Sequence, residues 1–482
     1  MHFAHILLVS LVCSQCANPS VRPNWRSLAE SQKQAYVTAV RRLKQRPAGG
    51  PSMAYWNYDQ FVQVHWDNMG TSHGVPLFLP WHREFTWGFE QALKSIDPSV
   101  NLPYWDSSLD SQNPAAADIF LPRYLGGNGQ GSQHCVTNGV AGGWNATFPS
   151  MADRSRAGLT APCVSRCFTF SALWNPEAIA NTLSNAGSYN SMRVGIEGGP
   201  HSAVHVQIGG GTCGDMGTMA STNDPIFFLH HSFVDKMWSR WQSACPKFKT
   251  AYDGGRLDDG MAPWGTSIGS TLDTVGDKYC YIYAQSPGDV TIKVNCAADS
   301  TTTASAPAAE ATLAVNDWFA MAIRALVPGT SSSVSKLLHK RAIPADYYNS
   351  TNDATSVFVT ATNSATESTA TSSAIEPTKS ATATSALHAL PTYSPAPGLR
   401  IVAPPLEDNS DMIHLRHPPT CPKAWLHMNN LDPYTVRQIE ISAKDRVDEL
   451  NNMGGYVSKA ALQYFPIFNP ENGGKHKCVR RK

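Results

Sequence analysis

Charge is scarce in this sequence: Asp, Glu, Lys and Arg make up 16% of 482 residues and balance to a formal +1. A near-neutral chain gives no electrostatic reason to expect nucleic acid or an acidic membrane as partner. Long apolar runs are missing too. Beyond the N-terminus, nothing approaches the roughly 20 apolar residues a membrane helix needs. No internal repeat with a period of about 20–50 residues is visible, which argues against solenoids and propellers. Aromatics, by contrast, are plentiful: 13 Trp, 16 Tyr and 17 Phe supply apolar bulk for a large core. That balance fits a compact extracellular protein better than a solvated chain.

Residues 1–14 read as a secretory signal. Ile6 to Val12 is apolar and small residues follow, although no Lys or Arg precedes the run. Of 11 cysteines, loss of Cys13 leaves ten. An even number in an exported chain points to disulfides, with connectivity left open. None of the ten forms Cys-x-x-Cys. Asn145-Ala146-Thr147 and Asn349-Ser350-Thr351 are acceptors for N-glycans if the chain is exported.

Ser27-Leu28-Ala29-Glu30 has the form of a capping box, so a first helix is expected from there to about Arg46. Further helices are expected from about Tyr58 to Asn68, from Trp81 to Ile96 (stopped by Asp97-Pro98), and from Asp224 to about Ser243. The stretch from Asp106 to Leu173 is rich in Gly and Pro and reads as loops held by Cys135, Cys163 and Cys167. Residues 15–296 therefore form one large domain. Residues 297–397 are mostly Ser, Thr, Ala and Pro, which cannot bury enough apolar surface to offset chain entropy. They read as a linker containing a short helix near Trp318 to Leu326 and a dibasic pair, Lys340-Arg341, as a candidate processing site. Residues 398–482 form a small C-terminal module. There Asp432-Pro433 opens a helix whose apolar face is Val436, Ile439, Ala443, Val447 and Leu450. An apolar face needs cover, so this module is expected to dock on the larger domain.

Histidine placement carries the chemistry. His65, His73 and His82 fall in one region, and His201, His205 and His231 in another. His201 and His205 are spaced to share one helical face and bind one ion. Imidazole suits copper, zinc, iron and nickel alike, so ligand type alone does not name the metal. Neutral ligands would suit a cuprous pair, each ion giving one electron to a single oxygen molecule.

The segment Asp224-Pro225-Ile226-Phe227-Phe228-Leu229-His230-His231-Ser232-Phe233-Val234-Asp235, followed by Trp238 and Trp241, resembles the tyrosinase family. That family includes catechol oxidases and the oxygen-carrying haemocyanin units. Gly199 to His205 and Phe78-Leu79-Pro80-Trp81-His82-Arg83 match it as well, and the resemblance covers about Val21 to Cys245. It implies a mainly α fold: a helical bundle core holding a dicopper centre, long loops with disulfides, and a small C-terminal module after the Ser/Thr-rich linker. It implies two copper ions bound by His65, His73 and His82 and by His201, His205 and His231. It further implies oxidation of small phenolic substrates by O2, with o-diphenols becoming o-quinones and monophenols as a further class.

Three residues are singled out for catalysis. Glu197 matches an acid that holds a water and could act as base. Its alternative is a surface Glu in a Gly-rich loop. Ser202 stands where many monophenol-active members have Asn, which puts monophenol hydroxylation in doubt. His230 neighbours a ligand without itself facing the metal, and a structural role competes. Asp235, one turn beyond His231, is read as orienting an imidazole, with an ordinary helix-surface carboxylate as the alternative. Thr71 occupies the place of a cysteine that some members link to the second histidine. Val206 and Met219 are read as entrance residues or plain packing. Some relatives are kept latent by a C-terminal segment, for which Tyr464, Phe465 and Phe468 are the aromatic candidates. An oxidase of o-aminophenols or of a tyrosine within a peptide, and a haemocyanin-like carrier, are the competing functions.

Overall fold

In the computed structural model of this chain, the described residues are 16–296 and 414–460, apart from 147–153, 156–157, 160, 277, 295 and 454–455. The expected signal, the helix near Trp318, Lys340-Arg341, Asn349 and the aromatics Tyr464, Phe465 and Phe468 lie outside them.

Among the described residues seven helices build the larger body: α1 (Glu30–Gln45), α2 (Tyr58–Ser72), α3 (Phe78–Lys94), α4 (Pro176–Ser184), α5 (Tyr189–Ile196), α6 (Ser202–Gly209) and the long α7 (Ile226–Ala244). Two more, α8 (Lys423–Met428) and α9 (Pro433–Asn452), follow downstream. The fold is mainly helical, with disulfide-held loops, as the sequence implies. Strands are short: β1 (Ser20–Arg22) pairs in parallel with β4 (Tyr281–Tyr283), and β2 (Gly260–Met261) pairs with β3 (Thr266–Ser267).

Helix ends differ from expectation for local reasons. The Ser27 hydroxyl is spent on the Asn24 carbonyl (2.8 Å) in a 3-10 turn, so α1 starts only at Glu30. There the Ala29 N–H is met instead by the Gln32 side chain (3.0 Å). At α2, Asn57 and Gln60 cap each other reciprocally (2.9 and 3.0 Å). Helix α2 runs to Ser72, beyond the expected Asn68. Helix α3 starts at Phe78, ahead of Trp81, because Pro80 in a first turn costs no hydrogen bond.

Helix α3 packs against α1, α2 and α7. Phe61, Phe85, Phe89 and Phe228 fill the space between them, Phe89 and Phe228 stacking at 3.5 Å between ring centres. All four are at most 0% exposed, so the centre of the bundle is an aromatic layer. Cys135–Cys163 and Cys167–Cys213 fasten the long loops, while Cys16–Cys280 and Cys245–Cys296 tie chain ends to the body.

Residues 414–460 lie on the same body. Asp432 caps α9 by accepting from the Thr435 N–H (2.9 Å), and Val436, Ala443, Val447 and Leu450 are buried as one face. That face meets α4 and α5, and the Asn181 side chain donates across the seam to the Ser442 carbonyl (3.2 Å). Close approach needs glycine at one point: a Cβ at Gly198 would stand 2.5 Å from Val436. Among the described residues no helix is long and apolar enough to cross a membrane.

Candidate metal centre

His65 sits midway along α2, His73 at its C-terminal cap and His82 near the start of α3. His201 ends a wider π-turn (Glu197–His201), His205 is in α6, and His230 and His231 are in α7. The π-turn contains Pro200, which has no N–H to continue the α-helical ladder. All seven imidazoles are at most 5% exposed.

The rings form two adjoining trios. In the first, centres lie 4.8–5.8 Å apart (His73–His82 and His65–His82 being the extremes). In the second they lie 4.5–5.5 Å apart (His201–His205 and His205–His231). The trios meet where His82 stacks on His231, 4.4 Å between centres and 17° between planes. His73 and His201 are 6.3 Å apart.

Backbone carbonyls set the tautomers. Nδ1 of His82, His201 and His205 faces the carbonyls of Phe78 (2.7 Å), Glu197 (3.1 Å) and Met216 (2.8 Å). A carbonyl only accepts, so each Nδ1 donates and each Nε2 is the unprotonated nitrogen, that of His205 lying 3.3 Å from His231 Nε2. Nε2 of His65, His82 and His201 is buried with no partner, which calls for a ligand. Burial first, then neighbouring imidazoles, holds His65, His73, His201 and His231 well below the usual imidazole range. Burial likewise lowers His82 to about 3 and His205 to about 4. Neutral rings with converging lone pairs suit metal cations, and the two groupings can each hold one. A third grouping, His134 with Cys167 and Cys213, is no metal site because its two sulfurs are joined.

Glu197 is fully buried rather than on the surface. Its carboxylate accepts from the Gly74 N–H (2.7 Å), next to His73, and from Arg193 (2.7 Å). Burial pushes the carboxyl up to about 7 against the pull of Arg193 and Gly74. Ser202 donates to the Glu197 carbonyl (2.6 Å). His230 lies parallel to His201, 5.4 Å away at 13°, with both nitrogens unpartnered, and joins the second grouping.

Asp235 corrects the sequence expectation. It bonds to no imidazole: it accepts from Arg83 (2.6 Å), Tyr283 (2.6 Å), Tyr281 and Arg22. Burial alone would raise its carboxyl, but Arg83 and Arg22 beside it hold it below the usual carboxylate range. Helical spacing fixed its element and not its face. Thr71 is exposed and donates to the Asn68 carbonyl (3.0 Å).

Sequence reasoning missed Trp425. Its ring lies 5.7 Å from His201 and 5.8 Å from His205, and with Leu426 it packs on Val206 and Val194. Nearby, the carbonyls of Asn429 and Asn430 press on Gly74, whose φ of +68° and absent Cβ permit the contact. Cys421 lies beside Ser202. Nothing in the local sequence around Trp425 names its distant partners.

A helical protein with a buried binuclear histidine centre is the class that fold and site define. Residues 56–244 match the family model described as the common central domain of tyrosinase. The tyrosinase of Streptomyces lincolnensis is 34% identical over 281 residues, covering 53% of this chain and 97% of its own. That of Streptomyces glaucescens is 35% identical over 280 residues, covering 53% and 96%. Tyrosinase ustQ of Aspergillus flavus is 32% identical over 301 residues, covering 56% and 80%. The chain belongs to the tyrosinase family. It is a tyrosinase-type oxidoreductase of the type-3 dicopper class with two copper ions as its cofactor, and the family uses phenolic substrates and O2.

Proposed function

We propose that this chain oxidises o-diphenols to o-quinones, with His65, His73 and His82 holding one copper and His201, His205 and His231 the other. The observation that carries the assignment is the stacking of His82 on His231 at 4.4 Å, which brings the trios within reach of one small ligand. When bound, the copper pair passes electrons from the phenol ring to O2. The chain's own residues prepare that exchange. Burial keeps the imidazoles neutral, so each offers a lone pair at neutral pH. The Phe78, Glu197 and Met216 carbonyls hold three of them in one tautomer. Glu197, raised to about 7, is tuned to take a substrate proton through a water near neutrality. Its two oxygens already accept from Gly74 and Arg193, so it also staples the His73 segment to the His201 segment. Ser202 gives its hydroxyl proton to a carbonyl and has no amide to hold a water, which favours diphenols over monophenols. His230 supports the second trio by stacking on His201.

Residues 15–296 serve as the catalytic domain and residues 398–482 as a module that covers it, across the linker 297–397. Trp425, beside His201 and His205, supports the cover, while the aromatic candidates Tyr464, Phe465 and Phe468 lie outside the described residues. Four disulfides among the described residues favour export.

Copper analysis with relative rates on catechol, tyrosine and o-aminophenol tests the assignment. Two coppers per chain with catechol fastest is the expected result. A faster rate on o-aminophenol would move the chain to that substrate class, and reversible oxygen binding without turnover would make it a carrier.

A further inference from the structure

Behind the imidazoles, α3 and α7 are joined by a buried ionic network. Arg83 follows His82 directly, and Asp235 stands one turn beyond His231. Both are at most 3% exposed. The Arg83 Nε donates to Asp235 (2.6 Å), and its other nitrogens donate to Gln242 (3.2 Å), Ser239 (3.1 Å) and the Thr271 carbonyl (2.8 Å). The guanidinium also lies 3.7 Å from the Trp238 ring centre. Four of these five partners are on α7.

A buried ion pair is a weak device for stability, because desolvation cancels much of its attraction and apolar residues pack as well. What the pair supplies and apolar packing lacks is direction. A planar guanidinium spread over three polar side chains of one helix resists both sliding and rotation of that helix. Arg83 and His82 are adjacent on α3, so whatever fixes one fixes the other. The stack of His82 on His231 lies within one turn of the ionic contact.

We propose that Arg83 and Asp235 are positioning residues that set the spacing of the two metal sites by locking α3 against α7. This rests on the assignment of the six histidines as copper ligands. Glu90 supplies the control: it pairs with Arg22 in the same network (2.8 Å) and does not bond to Arg83.

The test compares Asp235→Asn with Glu90→Gln in the full-length protein, measuring copper loss to a chelator and the melting temperature of the copper-free protein. Asp235→Asn is expected to release copper about tenfold faster than wild type, the low end for residues behind metal ligands. Glu90→Gln, even if it melts as low, is expected to keep wild-type release. If both variants release copper in proportion to their loss of stability, or if Asp235→Asn releases it like wild type, the positioning role is wrong. Should Asp235→Asn not fold, Arg83→Lys, which keeps the charge and loses the planar fork, is judged by the same criteria. Wild type binding other than two coppers would fail the ligand assignment instead, a separate outcome.

Discussion

The two histidine trios face each other but are closed off in different ways. His65 is walled by Phe227 (4.9 Å), Phe85 (5.9 Å) and Trp81 (5.9 Å), all from the helices that carry the histidines. His201 and His205 have Trp425 against them, delivered by a segment far downstream. One side of the centre is therefore ordinary core, and the other is closed by Trp425, from a segment that carries none of the six histidines. On the proposed reading, access and control belong to the second side.

The largest expected effect ignores the asymmetry. His65→Ala and His231→Ala should each lower catechol turnover by more than about 100-fold, beyond what residues behind a metal ligand usually give. Copper analysis should find the loss in both variants. Equal copper content and turnover in either would remove that residue from the ligand set.

Trp425→Ala should sharpen the asymmetry. Opening the second side is expected to raise kcat/KM for catechol about tenfold, which corresponds to about 1.4 kcal/mol. The matching change on the first side, Trp81→Ala, should lower stability by about 3–5 kcal/mol with no such gain. Steady-state kinetics beside thermal melts distinguishes them; a falling rate for Trp425→Ala would argue against a cover.

Acidity separates the residues further. The lowered histidines contribute stability that is full above about 6.5, their ordinary value, and is lost as pH falls. Glu197, raised to about 7, behaves in the opposite sense: its contribution is present below its ordinary value of 4.5 and lost as pH rises through 7. The copper-free protein should therefore melt lower as pH drops below about 6.5. Glu197→Gln should gain on wild type as pH climbs from 4.5 through 7. Calorimetry across that range would show both slopes, and a constant gap between the two proteins would contradict the burial of a protonatable carboxyl.

The smallest effect is at Ser202. Replacing it with Ala removes one hydrogen bond to the Glu197 carbonyl and should cost about 1 kcal/mol, read as a melting shift of about 2–4 °C. An unchanged melt would mean that the contact adds nothing.

Much of the centre was legible because its signals are local. The Phe-Leu-Pro-Trp-His-Arg and His230-His231 segments state residue type and spacing at once, and the Asp432 cap with its apolar face announces a helix wanting cover. What the sequence hid depends on facing and distance. Asp235 shares a helix with His231, yet its side chain turns to Arg22 and Arg83. Glu197 stands in a Gly-rich run that looks exposed, yet it is buried at the start of the π-turn with Gly74 and Arg193 on its carboxylate. Ser27 has the form of a cap, but Asn24 takes its hydroxyl first. Trp425 reaches the imidazoles through folding of a segment whose own residues show no metal chemistry.

The central claim is that each trio holds one copper, and anomalous X-ray scattering at the copper edge from crystals of the loaded protein tests it most directly. Two peaks are expected, one bounded by His65, His73 and His82 and the other by His201, His205 and His231. A single peak, or a second peak bound by His230 while His231 stands clear, would contradict the account.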